Sequence, residues 1–540
     1  MHSLFAMSRD VMRRHAFKVV IYIALSLTLG LQSLAIPYIT GNFIDCLNTS
    51  ADMSGIYRYC NIYFGVAVIG IIGGYINNRL NINILTRMSY DLNKSVIEHI
   101  QRIGLTAVRY ENTAELNQKV NNDSNAVISF CVSVIQGILK NVLTIAVALY
   151  VMIRLENRVL IIAIASIPIY AIIFFLIRRA IYEAGKEFKN AQTVFFGKMY
   201  EQLSYIKQIK INGLVKGFTK RMDRYFPGLM KSAYKYQDVS YLFSSIDTVV
   251  MSLAQVGLFL YCGYAVIGKR MTIGQLTLVS SYFGMFIGAV RYFFSLGKTV
   301  QDTKISEARL REIIEVPEEE NGTTELSGID RIKSSDLSLA IGPKKIYSDI
   351  NLDLEKGKIY VLEGENGRGK TSLALSLIGL YNPEMHGDIT YDDFGITELD
   401  MYKARQGKVV YLEQEPRLFD DSILYNVTLG QEHYDSKLME ELAETFNIRE
   451  LIEGQPEGWN TATGGSDTTF SGGEKQKMML VRTFLNNPEL VILDEPSSAL
   501  DAGSTQALCD YLKSTGRERI TVIITHDEIF KNIADKVLTL

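Results

Sequence analysis

At 540 residues the chain is too long for one compact domain. Its 47% hydrophobic and 21% charged residues, with a mean hydropathy of +0.09, exclude the ordinary composition of a wholly soluble enzyme. A net charge of −3 without any lysine–arginine block excludes the electrostatic footprint of a nucleic-acid binder.

The chain opens with Arg9, Arg13 and Arg14, and the apolar run after them is too long for the core of a cleavable signal. Six apolar stretches reach the length of about 20 residues that a bilayer crossing needs. They fall near residues 17–39, 57–80, 130–153, 159–177, 242–267 and 274–297. Short loops join the first to the second, the third to the fourth and the fifth to the sixth. Roughly 50 to 65 residues of helix-compatible sequence separate the other neighbours, far above ordinary loop lengths.

Those long connections hold Arg79, Arg87, Lys94, Arg178, Arg179, Lys186, Lys207 and Lys210, so the positive-inside rule predicts them, and the N-terminus, in the cytoplasm. The loop after the first stretch has Asp45 and Asp52 and no basic residue before Arg58, as an outer loop should. Lys269 and Arg270 on the third outer loop are a mild exception. The helices are expected to run on below the membrane as two long hairpins. Lys140 and Arg291 fall inside the predicted spans. Each either contacts substrate or snorkels to the inner interface. Five cysteines (Cys46, Cys60, Cys131, Cys262, Cys509) show no metal spacing and no CxxC pair. Cys46 and Cys60 flank the first outer loop, where a disulfide or, more commonly, two unpaired thiols fits.

Glu315-Val-Pro-Glu-Glu-Glu-Asn-Gly322 is a polar, Pro- and Gly-marked break. The predicted organisation is therefore a transmembrane domain over 1–315, a linker over 316–327 and a second domain over 328–540. In the second domain short β-branched runs alternate with helices, the mark of an α/β fold with parallel strands; the runs near 332–341 and 346–354 read as an initial antiparallel part. The strand-like Ile359–Glu363 then leads into Gly364-Glu-Asn-Gly-Arg-Gly-Lys-Thr-Ser372 and a helix. Strand, glycine loop and helix in that order form a phosphate-binding loop. Gly364, Gly367 and Gly369 let backbone N–H groups point at an anion, and the helix start adds its dipole. Lys370 reaches the β- and γ-phosphates of a nucleoside triphosphate, and the Thr371 hydroxyl suits Mg²⁺.

Leu490-Val-Ile-Leu-Asp-Glu-Pro496 is a buried strand ending in acids, with Asp494 suited to the Mg²⁺ shell and Glu495 to polarising a water. Phe470-Ser-Gly-Gly-Glu474 opens a helix and makes a second anion site, which implies that each nucleotide is shared between two copies of the domain. His526 follows the strand Ile520–Ile524, where a γ-phosphate sensor acts.

Taken together these residues resemble a half-size ABC exporter over nearly the whole chain. The resemblance implies a multidomain membrane protein, an all-α six-helix transmembrane domain plus an α/β P-loop NTPase domain. It makes Gly364, Glu365, Asn366, Gly367, Arg368, Gly369, Lys370, Thr371 and Ser372 the nucleotide loop, and Gln414 the Q-loop glutamine. Ser471, Gly472, Gly473 and Glu474 become the signature, and Ser498–Asp501 the D-loop with Asp501. Asp494 and Glu495 become Walker B and the catalytic glutamate, and His526 the switch histidine. Catalysis then rests on Glu495, His526 and Gln414, and Mg²⁺ on Thr371, Gln414 and Asp494. ATP and Mg²⁺ are the implied cofactors. Met271–Leu276 and Pro37–Asp45 also resemble exporter sequences, and coupling helices are implied near Ala107–Asn112 and Tyr205–Lys210.

The pattern departs from the family in places. No aromatic stands near Leu339 or Ile341 to stack on adenine, and Tyr347 is out of register. The signature has Phe470 and Glu474 where Leu and Gln are commoner, and Gly464-Gly-Ser-Asp467 lacks the usual acidic cross-contact. The chain stops at Leu540 without the family's terminal helices, and it begins too close to the first span for a fused peptidase domain. The expected function is ATP-driven export of a hydrophobic or amphipathic substrate, a bacteriocin-like peptide first, with a lipid or multidrug exporter or an ATP-gated membrane protein as alternatives. The expected assembly is a homodimer, with a heterodimer as the alternative, in the lipid of a bacterial cytoplasmic membrane, with the ATPase domain cytoplasmic. A large basic cavity holding Lys140 and Arg291 would favour acidic peptides or lipid head groups.

Overall fold

The computed structural model describes residues 9–49, 53–109, 116–117, 119–365, 367–415, 417–464 and 470–540. Asn366, the 110–112 end of the first coupling segment and Gly465–Asp467 lie outside the described residues. The chain divides into two compact units, 1–97 with 116–313, and 98–115 with 314–540.

In chain order the helices before residue 315 are α1 (Arg9–Arg14), α2 (Ala16–Thr49), α3 (Met53–Ile100), α4 (Leu105–Arg109), α5 (Ser124–Leu155), α6 (Val159–Ser204), α7 (Ile206–Ile211), α8 (Val215–Ile267) and α9 (Ile273–Ile314). Among the described residues, five helices are long and apolar enough to cross a membrane. The two parts of α6, bent by 40° at a short break, make a sixth span when taken together. Pro168 lies in the last turn of the first part, where its missing N–H leaves one bond of the ladder unmade.

Helices α3, α6 and α8 have 48, 46 and 53 residues, so at about 1.5 Å per residue they extend some 70–80 Å, more than twice a hydrocarbon core. Phe64, Ile69, Ile71 and Tyr75 on α3 are each more than half exposed, an apolar surface that water does not tolerate and lipid does. The protein is membrane-integral.

Where the spans meet, small residues admit close approach. Gly41 on α2 and Gly274 at the start of α9 touch backbone to backbone, and a Cβ on Gly274 would lie 2.0 Å from the Gly41 carbonyl oxygen. Asp45 fastens the same crossing, accepting from the Thr272 hydroxyl at 2.6 Å and the Gly274 N–H at 2.8 Å. The two exporter-like stretches, far apart in sequence, are thus one contact. No disulfide links Cys46 to Cys60.

The second unit has strands β1 (Arg331–Ile341), β2 (Lys344–Glu355), β3 (Ile359–Glu363), β4 (Met385–Tyr391), β5 (Phe394–Gly395), β6 (Val409–Leu412), β7 (Leu490–Asp494), β8 (Ile520–Ile524) and β9 (Lys536–Thr539). Its helices include α10 (Lys370–Leu377), α11 (Met401–Ala404), α12 (Ile423–Thr428), α13 (Ser436–Thr445), α14 (Arg449–Glu453), α15 (Gly472–Leu485), α16 (Ala502–Thr515) and α17 (Glu528–Lys531). An antiparallel sheet runs β2-β1-β4-β5, and a parallel sheet runs β6-β7-β8-β3-β9. Every residue of β7 and β8 is buried, which is why both read as unbroken apolar runs.

The sequence reading puts this stretch at the end of the first long hairpin below the membrane, and its described residues 98–109 pack with this unit. Leu105 on α4 joins its core, Thr106 donates to Glu384, and Ile103 pairs with Glu318 in an antiparallel bridge. The polar stretch from Glu318 to Thr324 is also tied down. The Glu319 N–H donates to the Arg102 carbonyl at 2.7 Å, and the Glu319 carboxylate pairs with Arg405 at 3.0 Å. Its backbone groups at Glu319, Gly322 and Thr324 are bonded to neighbours.

Candidate nucleotide-binding site

Because β3, β6, β7 and β8 are parallel, their C-terminal ends share one edge of the sheet, the place where open α/β sheets bind ligands. The glycine loop leaves β3 there, Gln414 follows β6, Asp494 and Glu495 end β7, and Thr525 and His526 follow β8.

Gly367 and Gly369 have φ of +84° and +95°, which only glycine takes without strain, and a Cβ on Gly369 would lie 2.7 Å from Ile346. At Gly369 the loop therefore lies close against β2. Lys370, buried, donates to the carbonyls of Gly364 and Glu365, and its Nζ stands 3.3 Å from His526 Nε2. The Thr371 hydroxyl donates to Asp494 Oδ2 at 2.7 Å. Lys370–His526 and Thr371–Asp494 are thus two bonded pairs side by side, joined through the adjacent residues 370 and 371. Glu365 and Arg368 are exposed and pair with each other at 3.2 Å, and the Ser372 carbonyl accepts from Ser376 at 2.9 Å. Gln414 is exposed at the same edge.

Glu495 takes φ +48°, a left-handed conformation uncommon for a glutamate, and its N–H donates to the Ile524 carbonyl at 2.8 Å. Burial raises its carboxyl above the ordinary value, with Asp494 pushing the same way and His526 opposing. A carboxylate held short of full solvation is a stronger base than an exposed one.

Ser471 caps α15. Its hydroxyl accepts from the Glu474 N–H at 3.3 Å while the Glu474 carboxylate accepts from the Ser471 N–H at 2.6 Å. Glu474 in place of glutamine therefore completes a capping box, and the Ser471 O–H proton remains available to an anion. Gly472 and Gly473 lie against Ala499, and a Cβ on Gly473 would sit 2.7 Å from the Ala499 carbonyl oxygen. Asp501 is engaged within its own chain: it caps α16 through Ser504 at 2.8 Å and pairs with Lys477 at 2.9 Å. Those partners, the Ser504 backbone first, hold its carboxyl well below the usual range.

One residue escaped the sequence reading. The Tyr411 hydroxyl donates to Asp494 Oδ2 at 2.8 Å, sharing that oxygen with Thr371. Its only signal is a tyrosine late in an apolar strand, and the pairing of β6 with β7 is what aims it. Tyr347, opposite Leu339, is a core residue: its hydroxyl bonds Ser376 at 2.5 Å, and burial pushes its phenol up to about 12.

The residues fit a nucleotide with Mg²⁺. Among the described residues no three His, Cys, Asp or Glu side chains converge to hold a metal. One carboxylate and one hydroxyl match an ion that takes the rest of its shell from phosphates and water.

A family model for the ABC transporter transmembrane region matches residues 19–290, just over half of the chain. The chain belongs to the ABC transporter family. A second model of the same family, described as ABC transporter, matches residues 347–498. Among curated relatives, the transport/processing ATP-binding protein ComA of Streptococcus pneumoniae is 25% identical over 461 residues, 84% of this chain and 64% of that protein. The lactococcin-A transport/processing ATP-binding protein LcnC of Lactococcus lactis is 26% identical over 426 residues, 78% of this chain and 59% of that one. This ABC transporter chain thus spans less than two thirds of the length of either. A putative multidrug export ATP-binding/permease protein of Bacillus subtilis, YgaD, is 24% identical over 463 residues, 84% of this chain and 79% of its own length. A bacterial Atm1-family ABC exporter solved with ATP bound superposes with a TM-score of 0.85 at 18% identity, covering 98% of this chain and 94% of that one. The fold is that of a half-size ABC exporter, six spans and one ATPase domain in a single chain.

Proposed function

We propose that two copies of this chain form an ATP-driven exporter of an amphipathic substrate across a bacterial cytoplasmic membrane, a bacteriocin-like peptide being the first class to test. The observation that carries the reading is the convergence of Lys370, Thr371, Asp494 and His526 at one sheet edge, in a chain that also crosses the membrane. The relative named for lactococcin-A transport favours a peptide. The multidrug relative, matched over more of its own length, favours the second reading of a multidrug exporter.

Lys370 grips the terminal phosphates, releasing the carbonyls that hold it now. Thr371, Asp494 and Gln414 would hold Mg²⁺, which would supply charge neutralisation on those phosphates. Glu495 orients and polarises the attacking water, and His526 holds the γ-phosphate end of the site beside Lys370. Ser471, with the start of α15, offers a proton and backbone N–H groups to a nucleotide on the second copy. The tip at α7 exposes apolar side chains among its lysines: Ile206 and Ile211, and Val215 at the start of α8, are each at least half exposed. Far along helices longer than any bilayer, that surface suits a protein partner, which supports assembly with a second copy. Nucleotide drives closure only by binding the closed pair better than the open one.

The test is reconstitution in liposomes. ATP-dependent accumulation of a peptide, absent with Glu495→Gln, is the expected result. ATP hydrolysis without transport of any peptide, drug or lipid would point instead to an ATP-gated membrane protein.

A further inference from the structure

The Pro496 carbonyl, one residue beyond Glu495, accepts a hydrogen bond from the Gln476 side-chain amide at 3.1 Å, and both residues are buried. Gln476 stands on α15, in the second turn after the Ser471 cap. It is one of three places where α15 meets the loop that follows Glu495. Gly473 lies against the Ala499 carbonyl, and Lys477 pairs with Asp501 at 2.9 Å. The Ser497 hydroxyl ties the same loop to Asp527, the neighbour of His526.

Glu495 needs such support. Its φ of +48° is costly for a residue with a side chain and persists only where the surroundings over-determine it. Pro496 adds to the cost, because a residue before proline is pushed toward extended backbone. Three bonds hold the segment. The Glu495 N–H donates to the Ile524 carbonyl at 2.8 Å, the Glu495 carbonyl accepts from the Ser498 N–H at 3.1 Å, and the Pro496 carbonyl accepts from Gln476. Together they fix three successive peptide planes, and only the third bond comes from a side chain.

Packing alone accounts poorly for Gln476. Its Oε1 has no hydrogen-bond partner among the described residues. A buried orphan acceptor is a cost that a methionine of similar length would not carry. What glutamine has and methionine lacks is the donor to Pro496.

We propose that Gln476 is a positioning residue for ATP hydrolysis: through the Pro496 carbonyl it keeps Glu495 in its left-handed conformation, and so ties the aim of that carboxylate to the helix that carries Ser471. The proposal rests on the reading of Glu495 as the group that polarises water.

The test uses the full chain in nanodiscs with Mg²⁺ and ATP. Gln476→Met exchanges one orphan acceptor, Oε1, for another, the Pro496 carbonyl, so its Tm should stay within about 3 °C of the parent. Its kcat should fall about tenfold while KM for ATP stays within about twofold, the split expected when a catalytic group is misaimed and nucleotide binding is untouched. The residual hydrolysis of Glu495→Gln, followed over hours with radiolabelled ATP, should not change when Gln476→Met is added, because the bond acts only through Glu495. Should Gln476→Met fail to fold, Gln476→Glu carries the same comparison, since it keeps the shape and loses the donor. A kcat within about twofold of the parent overturns the proposal, and so does a tenfold loss that recurs on the Glu495→Gln background. Either result leaves the reading of Glu495 standing. Brisk turnover by Glu495→Gln alone is the separate failure of that reading, and it removes the group that Gln476 would position.

Discussion

The Tyr411 hydroxyl donates to Asp494 Oδ2 at 2.8 Å, and the same oxygen accepts from Thr371 at 2.7 Å. Burial, reinforced by the charge on Asp494, pushes the Tyr411 phenol far above its ordinary value, so it is a donor at every physiological pH. Tyr411→Phe removes one of two bonds that aim the carboxylate. A lost bond of about 1 kcal/mol should raise the Mg²⁺ concentration for half-maximal ATPase activity roughly three- to tenfold, with the fold intact. A Mg²⁺ titration unchanged from the parent would show that Thr371 suffices.

Glu495 is ionised at neutral pH at a cost, since burial raises its carboxyl. A raised folded-state value means that the native protein binds the proton more tightly than the unfolded chain, so this cost is present above the raised value and fades as pH falls through it. Glu495→Gln should therefore abolish turnover while retaining ATP and accumulating the closed dimer. It should also raise the Tm of the ATPase domain at pH 7, a gain that shrinks on acidification. Thermal scans across pH together with size measurements check both parts.

Gly472 and Gly473 look alike in sequence and differ in space. A Cβ on Gly473 would meet the Ala499 carbonyl oxygen at 2.7 Å, whereas one on Gly472 would touch only the Ala499 side chain at 3.7 Å. Gly473→Ala should cost about 1–3 kcal/mol through forced backbone movement. Gly472→Ala should be near neutral or slightly stabilising, as alanine is in a first helical turn. Chemical denaturation of the two variants separates them.

The membrane unit offers the same contrast. Gly274 has the Gly41 carbonyl oxygen 2.0 Å from where its Cβ would be, and Gly284 on the same helix has nothing within 4 Å. Gly274→Ala should part α2 from α9, strain the bonds from Asp45 and lower the yield of folded protein in detergent. Gly284→Ala should leave the yield unchanged. Equal yields would mean that the crossing adjusts freely.

Several features were legible before any coordinates because their signals are local. A span needs only a run of apolar residues long enough for the bilayer, and the nucleotide loop needs only strand, glycines, lysine and helix in order. Those signals placed the spans near 17–39 through 274–297 and the loop at Gly364–Ser372. The bend in α6 after Ile169 leaves little trace in the sequence, because the apolar run continues through it.

What only the tertiary structure decided depends on which faces of distant elements turn toward one another. Tyr411 gains its role from the pairing of β6 with β7, and residues 98–109 join the ATPase unit through Leu105, Thr106 and Ile103. Asp501 is captured by Ser504 and Lys477 of its own chain. Lys140 and Arg291 look equivalent as charges in apolar runs, yet Arg291 lines a cavity together with residues of α6 and α8 while Lys140 is exposed on α5. By itself the sequence determined the membrane spans and the nucleotide chemistry, because contiguous residues carry both. Side-chain direction across helices was decided by packing alone, since a helix that turns by 100° per residue points each charge somewhere different and only its neighbours choose the angle.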